Sequence, residues 1–172
     1  MHINRTANLL GAAALAVTDL ALSGATDAAG VSASGAAALV SLSAADGLSV
    51  TELGRRVGLS QSAAARMVDS LEASQLAARH SAVGRTVIVK PTTAGRRVAR
   101  DLLAARSAPL TDVLAVLDDD EQETLTRLLT KMLTRLYGEV GNAQLLCRMC
   151  DRASCLHNAE CPVGQAERDS QR

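Results

Sequence analysis

The sequence predicts a mainly α chain whose only sheet is a short hairpin, and three observations predict it. Apolar residues recur at three- and four-residue spacing through most of the chain, as they do on one face of a helix. Ser, Asp and Gly occupy the positions where helices begin and end. A β-branched run, Thr86–Val89, follows a Val83-Gly84 turn and an earlier short stretch, Ala77–Ser81, and the two fit a hairpin. Apolar residues make up 48% of the 172, yet there is no Trp, no Phe and a single Tyr, Tyr137. Leu, Val and Ala must therefore fill the core, a composition that suits closely approaching helices. The length fits one domain, or one domain with a helical extension.

In chain order, Leu9, Leu10, Ala13, Val17, Leu20 and Ala21 define an amphipathic first helix over residues 4–24. A basic residue before a short apolar run gives the same stretch the outline of an export signal. Asp19 interrupts that run, however, and the helical spacing argues for a folded element. No segment approaches the ~20 consecutive apolar residues of a membrane span. Ser32 or Ser34 can cap a second helix that ends near Ser43, before the turn Ala45-Asp46-Gly47.

Ser49 and Glu52 stand in capping-box spacing and start a helix at Val50. Gly58-Leu59-Ser60 ends it near Val57 and caps the next helix, which begins at Gln61. This second helix carries Ala64, Met67, Val68 and Leu71 on one face, with Gln61, Ser62, Ala65, Arg66 and Asp69 pointing elsewhere. Two short helices joined by a glycine turn make a helix-turn-helix. The hairpin that follows bears Arg85 at its tip and Arg79, His80 and Lys90 at its base. Such a hairpin is a wing, able to enter a minor groove while the second helix lies in the major groove. A further helix begins near Thr93 and should break or kink at Pro109. Asp118, Asp119, Asp120 and Glu121 open the last long helix, whose stripe of Leu125, Leu128, Leu129, Met132 and Leu136 is apolar.

Charge is balanced over the whole chain, 18 basic residues against 18 acidic, but residues 51–106 hold ten Lys or Arg against four acids. The basic excess thus falls on the helix-turn-helix and the hairpin. The chain is expected to divide into an N-terminal helix (1–30), a winged helix-turn-helix domain (31–106), C-terminal helices (107–140) and a cysteine-rich tail (141–172).

Residues 36–106 resemble the DNA-binding core of the MarR family. LSVTELGRRVGLSQSAAARMVDSLEASQLAAR is similar to that family's helix-turn-helix, and GRTVIVKPTTAG to its wing and wing-to-helix junction. LDDDEQETLTRLLTKML resembles its last dimerisation helix. Where the family's wing usually carries an Asp before the arginine, this chain has Gly84. The resemblance implies a cytoplasmic homodimer in which first and last helices interleave, presenting two recognition helices to a palindromic operator in double-stranded DNA. On that expectation Ser60, Gln61 and Ser62 meet phosphates or base edges and Arg66 follows one turn later. Arg85 enters the minor groove, with Arg79 and Lys90 beside it.

All four cysteines, Cys147, Cys150, Cys155 and Cys161, fall within CRMCDRASCLHNAEC. Structural disulfides are rare in the reducing surroundings of a DNA-binding protein. Four thiols at this spacing, opened by a CxxC pair, point instead to a metal centre. The compact spacing and the Cys161-Pro162 ending favour an iron–sulfur cluster, 2Fe–2S or 4Fe–4S, over zinc, which is the alternative. Arg148 and Arg152 can offset thiolate charge, and His157 reads as a surface residue. The expected function is a regulator whose DNA binding is governed by this centre. The rival reading is a redox or electron-transfer module whose helix-turn-helix contacts protein. An enzyme is not expected: no Ser/His/Asp set or phosphate-cradling glycine motif occurs, and His2, His80 and His157 are scattered.

Overall fold

The computed structural model describes residues 2–81 and 87–172. It is mainly helical with one two-stranded antiparallel sheet, as the sequence predicts. The elements are α1 (His2–Ala29), α2 (Ala33–Ser43), α3 (Val50–Val57), α4 (Gln61–Ala73), β1 (Ala77–Ser81), β2 (Val87–Pro91), α5 (Thr93–Leu114), α6 (Asp119–Val140), α7 (Ala143–Leu146), α8 (Arg152–Cys155) and α9 (Pro162–Ser170).

Local chemistry sets most of these boundaries. Ser32, Ser49, Ser60 and Thr92 each cap a helix by accepting a backbone N–H three residues on. Asp118 and Glu121 make the full reciprocal capping box that opens α6. At Ser49 only half of the expected box forms. The serine accepts the Glu52 N–H at 3.1 Å, but the Glu52 carboxylate turns outward onto Arg55 and Arg56, because two guanidinium groups outbid one amide for its charge. The register of the hairpin runs from Ala77 opposite Pro91 to Ser81 opposite Val87. Leu48 adds a one-residue bridge to Val89 on the sheet's other edge, by bonds of 3.1 and 2.7 Å.

Two elements depart from expectation. The first helix runs past residue 24 to Ala29. Pro109 does not end α5, which continues to Leu114 across the anticipated 106/107 boundary. Proline removes one N–H bond, to the carbonyl four residues back, and the packing of α5 along α1 carries the helix past that loss.

One core, built on Leu39, Leu42, Leu53, Val68, Val89 and Leu102, joins α2, α3, α4, β2 and α5. A second, smaller one, formed by Tyr137, Ala143 and Val163, fastens α7 and α9 to α6. Tyr137 Oη and Ser170 Oγ are hydrogen-bonded at 3.1 Å across it. The predicted stripe on α6 is left largely uncovered, with Leu128, Leu129 and Leu136 exposed at 44, 43 and 45%. Leu9, Leu10, Leu15 and Leu20 of α1 are exposed too. Among the described residues, no helix is long and apolar enough to cross a membrane.

Candidate nucleic-acid interface and cysteine cavity

The helix-turn-helix owes its tight angle to two glycines. Gly58 takes a left-handed conformation (φ 75°) and ends α3. At Gly54 a Cβ would stand 2.9 Å from Ala64 Cβ and 3.1 Å from the Leu59 carbonyl, so α3 and α4 reach this separation only because position 54 has no side chain. On α4, Ala64, Met67, Val68 and Leu71 are buried, while Gln61, Ser62, Arg66, Asp69 and Ser70 face solvent. Ser60 accepts the Ala63 N–H at 3.3 Å and lies 3.3 Å from the Ser62 hydroxyl, which sets two hydroxyls side by side at the amino end of the helix.

The cations are arranged unequally. Arg66 is exposed and has no ion-pair partner among the described residues. Arg79 is already committed: it pairs with Asp69 at 2.8 Å and with Glu72, and its backbone N–H donates to Glu72 at 2.7 Å. These bonds, Asp69 first, push the guanidinium pKa further up. Arg79 thus fastens the hairpin to α4, leaving its charge balanced. Lys90 is half-buried on β2, its stem lying over Gly47. Arg85, expected at the hairpin tip, lies outside the described residues, as do Gly84 and Thr86. On α3, Arg55, followed by Arg56, holds the Glu52 carboxyl down to about 2.

The four cysteines come from four different local settings. Cys147 ends α7, Cys150 lies in the following turn, Cys155 ends α8, and Cys161 caps α9 with Pro162 in its first turn. All four are free thiols bordering one cavity of about 150 Å³, together with Arg152, Glu167, Val163 and Gly164. The Gly164 N–H donates to Cys161 Sγ at 3.3 Å, and Gly164 has only hydrogen where a Cβ would meet that sulfur at 3.5 Å. Burial, then the neighbouring Cys155, pushes the Cys150 thiol up to about 12. Burial, then Cys161, also raises Cys147, against the opposing pull of Arg152 and Arg106.

The sulfurs thus share one space without closing on one point. Among the described residues, no three His, Cys, Asp or Glu side chains are gathered closely enough to hold an ion as they stand. His157 is exposed, beside Asn158 at 3.4 Å, and does not border the cavity. Arg148 donates to the Leu145 carbonyl at 2.9 Å, so of the two arginines expected to offset the thiols it is Arg152 that acts on them.

What sequence reasoning missed is the attachment of this tail to the helix-turn-helix. Asn142 Nδ2 donates to the Arg55 carbonyl at 3.0 Å, and Leu145 lies against Gly58. Met149 packs on the main core. No periodicity announces contacts between residues 87 positions apart.

A helix-turn-helix flanked by a hairpin and long outer helices defines a winged-helix protein. Its relatives agree. The sequence profile of the MarR family matches residues 29–85. A transcriptional regulator of the MarR family from Silicibacter pomeroyi is 32% identical, with a TM-score of 0.51, over 64% of this chain and 75% of that one. A MarR family protein from Bacillus stearothermophilus shares 22% identity at a TM-score of 0.71, over 78% and 95% of the two chains. The Mycobacterium tuberculosis MarR family protein Rv2887, in complex with DNA, is 25% identical at a TM-score of 0.60, over 73% and 95%. No curated protein matches the chain. The chain belongs to the MarR family of transcriptional regulators and is not an enzyme.

Proposed function

We propose that this chain is a cytoplasmic, homodimeric regulator that binds a palindromic operator in double-stranded DNA, and that an iron–sulfur cluster held by Cys147, Cys150, Cys155 and Cys161 modulates that binding. The observation that carries the DNA-binding part is the exposed polar face of α4, with its paired hydroxyls and an Arg66 that no acid among the described residues neutralises. Phosphates position such a helix and base edges give it specificity. The complex of Rv2887 with DNA supports the same use of the fold. Arg66→Ala is expected to weaken operator binding by about 1–3 kcal/mol without changing the melting temperature. Fluorescence anisotropy beside a thermal melt checks both; unchanged affinity would remove Arg66 from the interface.

Dimerisation follows from the uncovered leucines of α6 and α1, which a second copy can bury. Leu128→Glu combined with Leu136→Glu is expected to yield a folded monomer by light scattering, with DNA affinity reduced because only one half-site is held at a time. A dimer of unchanged mass would place the interface elsewhere.

For the centre, the donor set is four sulfurs, one N–H directed at sulfur and a nearby arginine. These residues fit a thiolate-bound group. Zinc requires four sulfurs about 2.3 Å from a single point. A cavity whose sulfurs lie around its wall suits a multi-iron core better. Such a core, when bound, supplies a redox-sensitive link between the segments that carry the cysteines. Anaerobic purification is expected to give a brown protein carrying iron and sulfide; a colourless protein with one zinc per chain selects the zinc alternative.

A further inference from the structure

We infer that α7 is the link by which the cysteine cavity governs the helix-turn-helix directly, an inference that rests on the regulator reading above. A tail seated only against the outer helices would let the centre act by setting the separation of the two recognition helices. The structure has the tail touching both sides. On one side, Ala143 and Val163 pack on Tyr137 of α6, and the Ala143 N–H donates to Glu167 of α9 at 3.3 Å. On the other side, α7 meets the end of α3 and the turn that aims α4.

That second contact falls where a helix is incomplete. The last carbonyls of a helix lack partners within it. At the end of α3 the N–H groups of Gly58 and Leu59 both go to the Gly54 carbonyl, so the Arg55 carbonyl is free to accept Asn142 Nδ2. Leu145 closes over Gly58, its Cδ1 3.0 Å from where a Cβ on that glycine would stand. Gly58 is the left-handed residue on which the direction of α4 depends. Met149 adds a third contact, on the main core.

The cavity and this contact are two ends of one helical turn. Cys147 is the C-cap of α7, two residues from Leu145, and the Cys150 N–H donates to its carbonyl at 3.0 Å. Four residues of helix move as a unit, so drawing the sulfurs inward onto a bound centre displaces Leu145 and Asn142 with them. The occupied cavity thereby sets how firmly the α3–α4 turn is held, within each subunit and independently of the other.

Asn142→Asp isolates the link. Aspartate keeps the oxygen that accepts the Leu145 N–H at 3.1 Å and so keeps the cap of α7, but it loses the donor to Arg55. Leu145→Ala removes the contact on Gly58 by a different chemistry. The full-length wild type and both variants would be reconstituted anaerobically with iron and sulfide. Affinity would be measured in loaded and metal-free forms, at matched salt, for a duplex that the wild type selects from random-sequence DNA. The wild-type forms should differ in affinity by roughly 5- to 150-fold. Each variant should keep its visible spectrum and dimeric mass while the two affinities converge to within about twofold. In parallel, loading should slow hydrogen exchange at the Leu59 amide in the wild type and leave it unchanged in the variants. Variants that keep the wild-type ratio overturn the link and leave the sensing reading standing. A wild type that binds equally in both forms removes the sensing reading, and the link with it.

Discussion

Gly95→Ala is expected to unfold the winged domain, with a loss of more than about 3 kcal/mol against a total of roughly 5–15 kcal/mol for a domain of this size. Gly95 lies in the first turn of α5, where that helix crosses the turn between α4 and β1. A Cβ built on it would stand 1.9 Å from the Leu76 carbonyl oxygen and 2.9 Å from its carbon, both backbone atoms that no rotamer can move. Neither side can retreat. The Leu76 carbonyl accepts the Thr92 N–H at 3.0 Å and the Leu76 N–H donates to Leu71 at 2.8 Å, while the Gly95 N–H is held by Thr92 Oγ1 at 3.0 Å. Relief requires α5 to lift away from Leu39, which lies 3.4 Å from the same position, and so opens the main core. Urea unfolding followed by circular dichroism measures the effect. A variant as stable as the wild type would mean that α5 does not approach Leu76 as described.

Gly95 also marks where the sequence was legible. The starts of α2, α3, α4 and α6 could be read because a cap is a local event: Ser32, Ser49, Ser60 and Asp118 bond to residues three positions away. Gly58 could be read for the same reason. Gly95 could not, since what demands it is a carbonyl 19 positions earlier. Pro109 does not break α5, because the local rule omits the packing of α5 along α1. The Leu48–Val89 bridge is a single residue pair and leaves no alternation to detect. Arg79 is expected beside the DNA from its place at the hairpin base, and what the spacing does not announce is that Asp69 and Glu72, ten and seven residues earlier on α4, engage it once the strand closes on that helix. The cysteines were legible as a set from spacing, but their contact with α3 was not.

The remaining large effect concerns those cysteines, and it follows from what holds the tail. Among the described residues, Tyr137, Ala143 and Val163 alone are buried there, against sixteen in the main core, so a centre bridging four sulfurs would be the tail's principal fastening. Cys150→Ser is therefore expected to abolish the visible spectrum and release the tail to proteolysis, while the winged domain, with its separate core, stays folded. Loading the wild type at a hundredfold excess over Kd should add about 2.7 kcal/mol of stability; the variant should gain none. The thiols also fix the pH dependence. Cys150, held neutral up to about 12, and Cys147, also raised, enter at neutral pH as thiols, so loading must release their protons and affinity must fall as pH falls. In the metal-free protein the sign reverses. A raised folded-state pKa means that stability is full below the ordinary thiol value of 9.0 and is lost as pH climbs from there towards 12. Calorimetry in two buffers of different ionisation enthalpy counts the released protons, and thermal melts of the metal-free chain across that alkaline range give the second slope. Loading that releases no proton, or a Cys150→Ser chain that keeps its colour, would exclude these four sulfurs as the ligands.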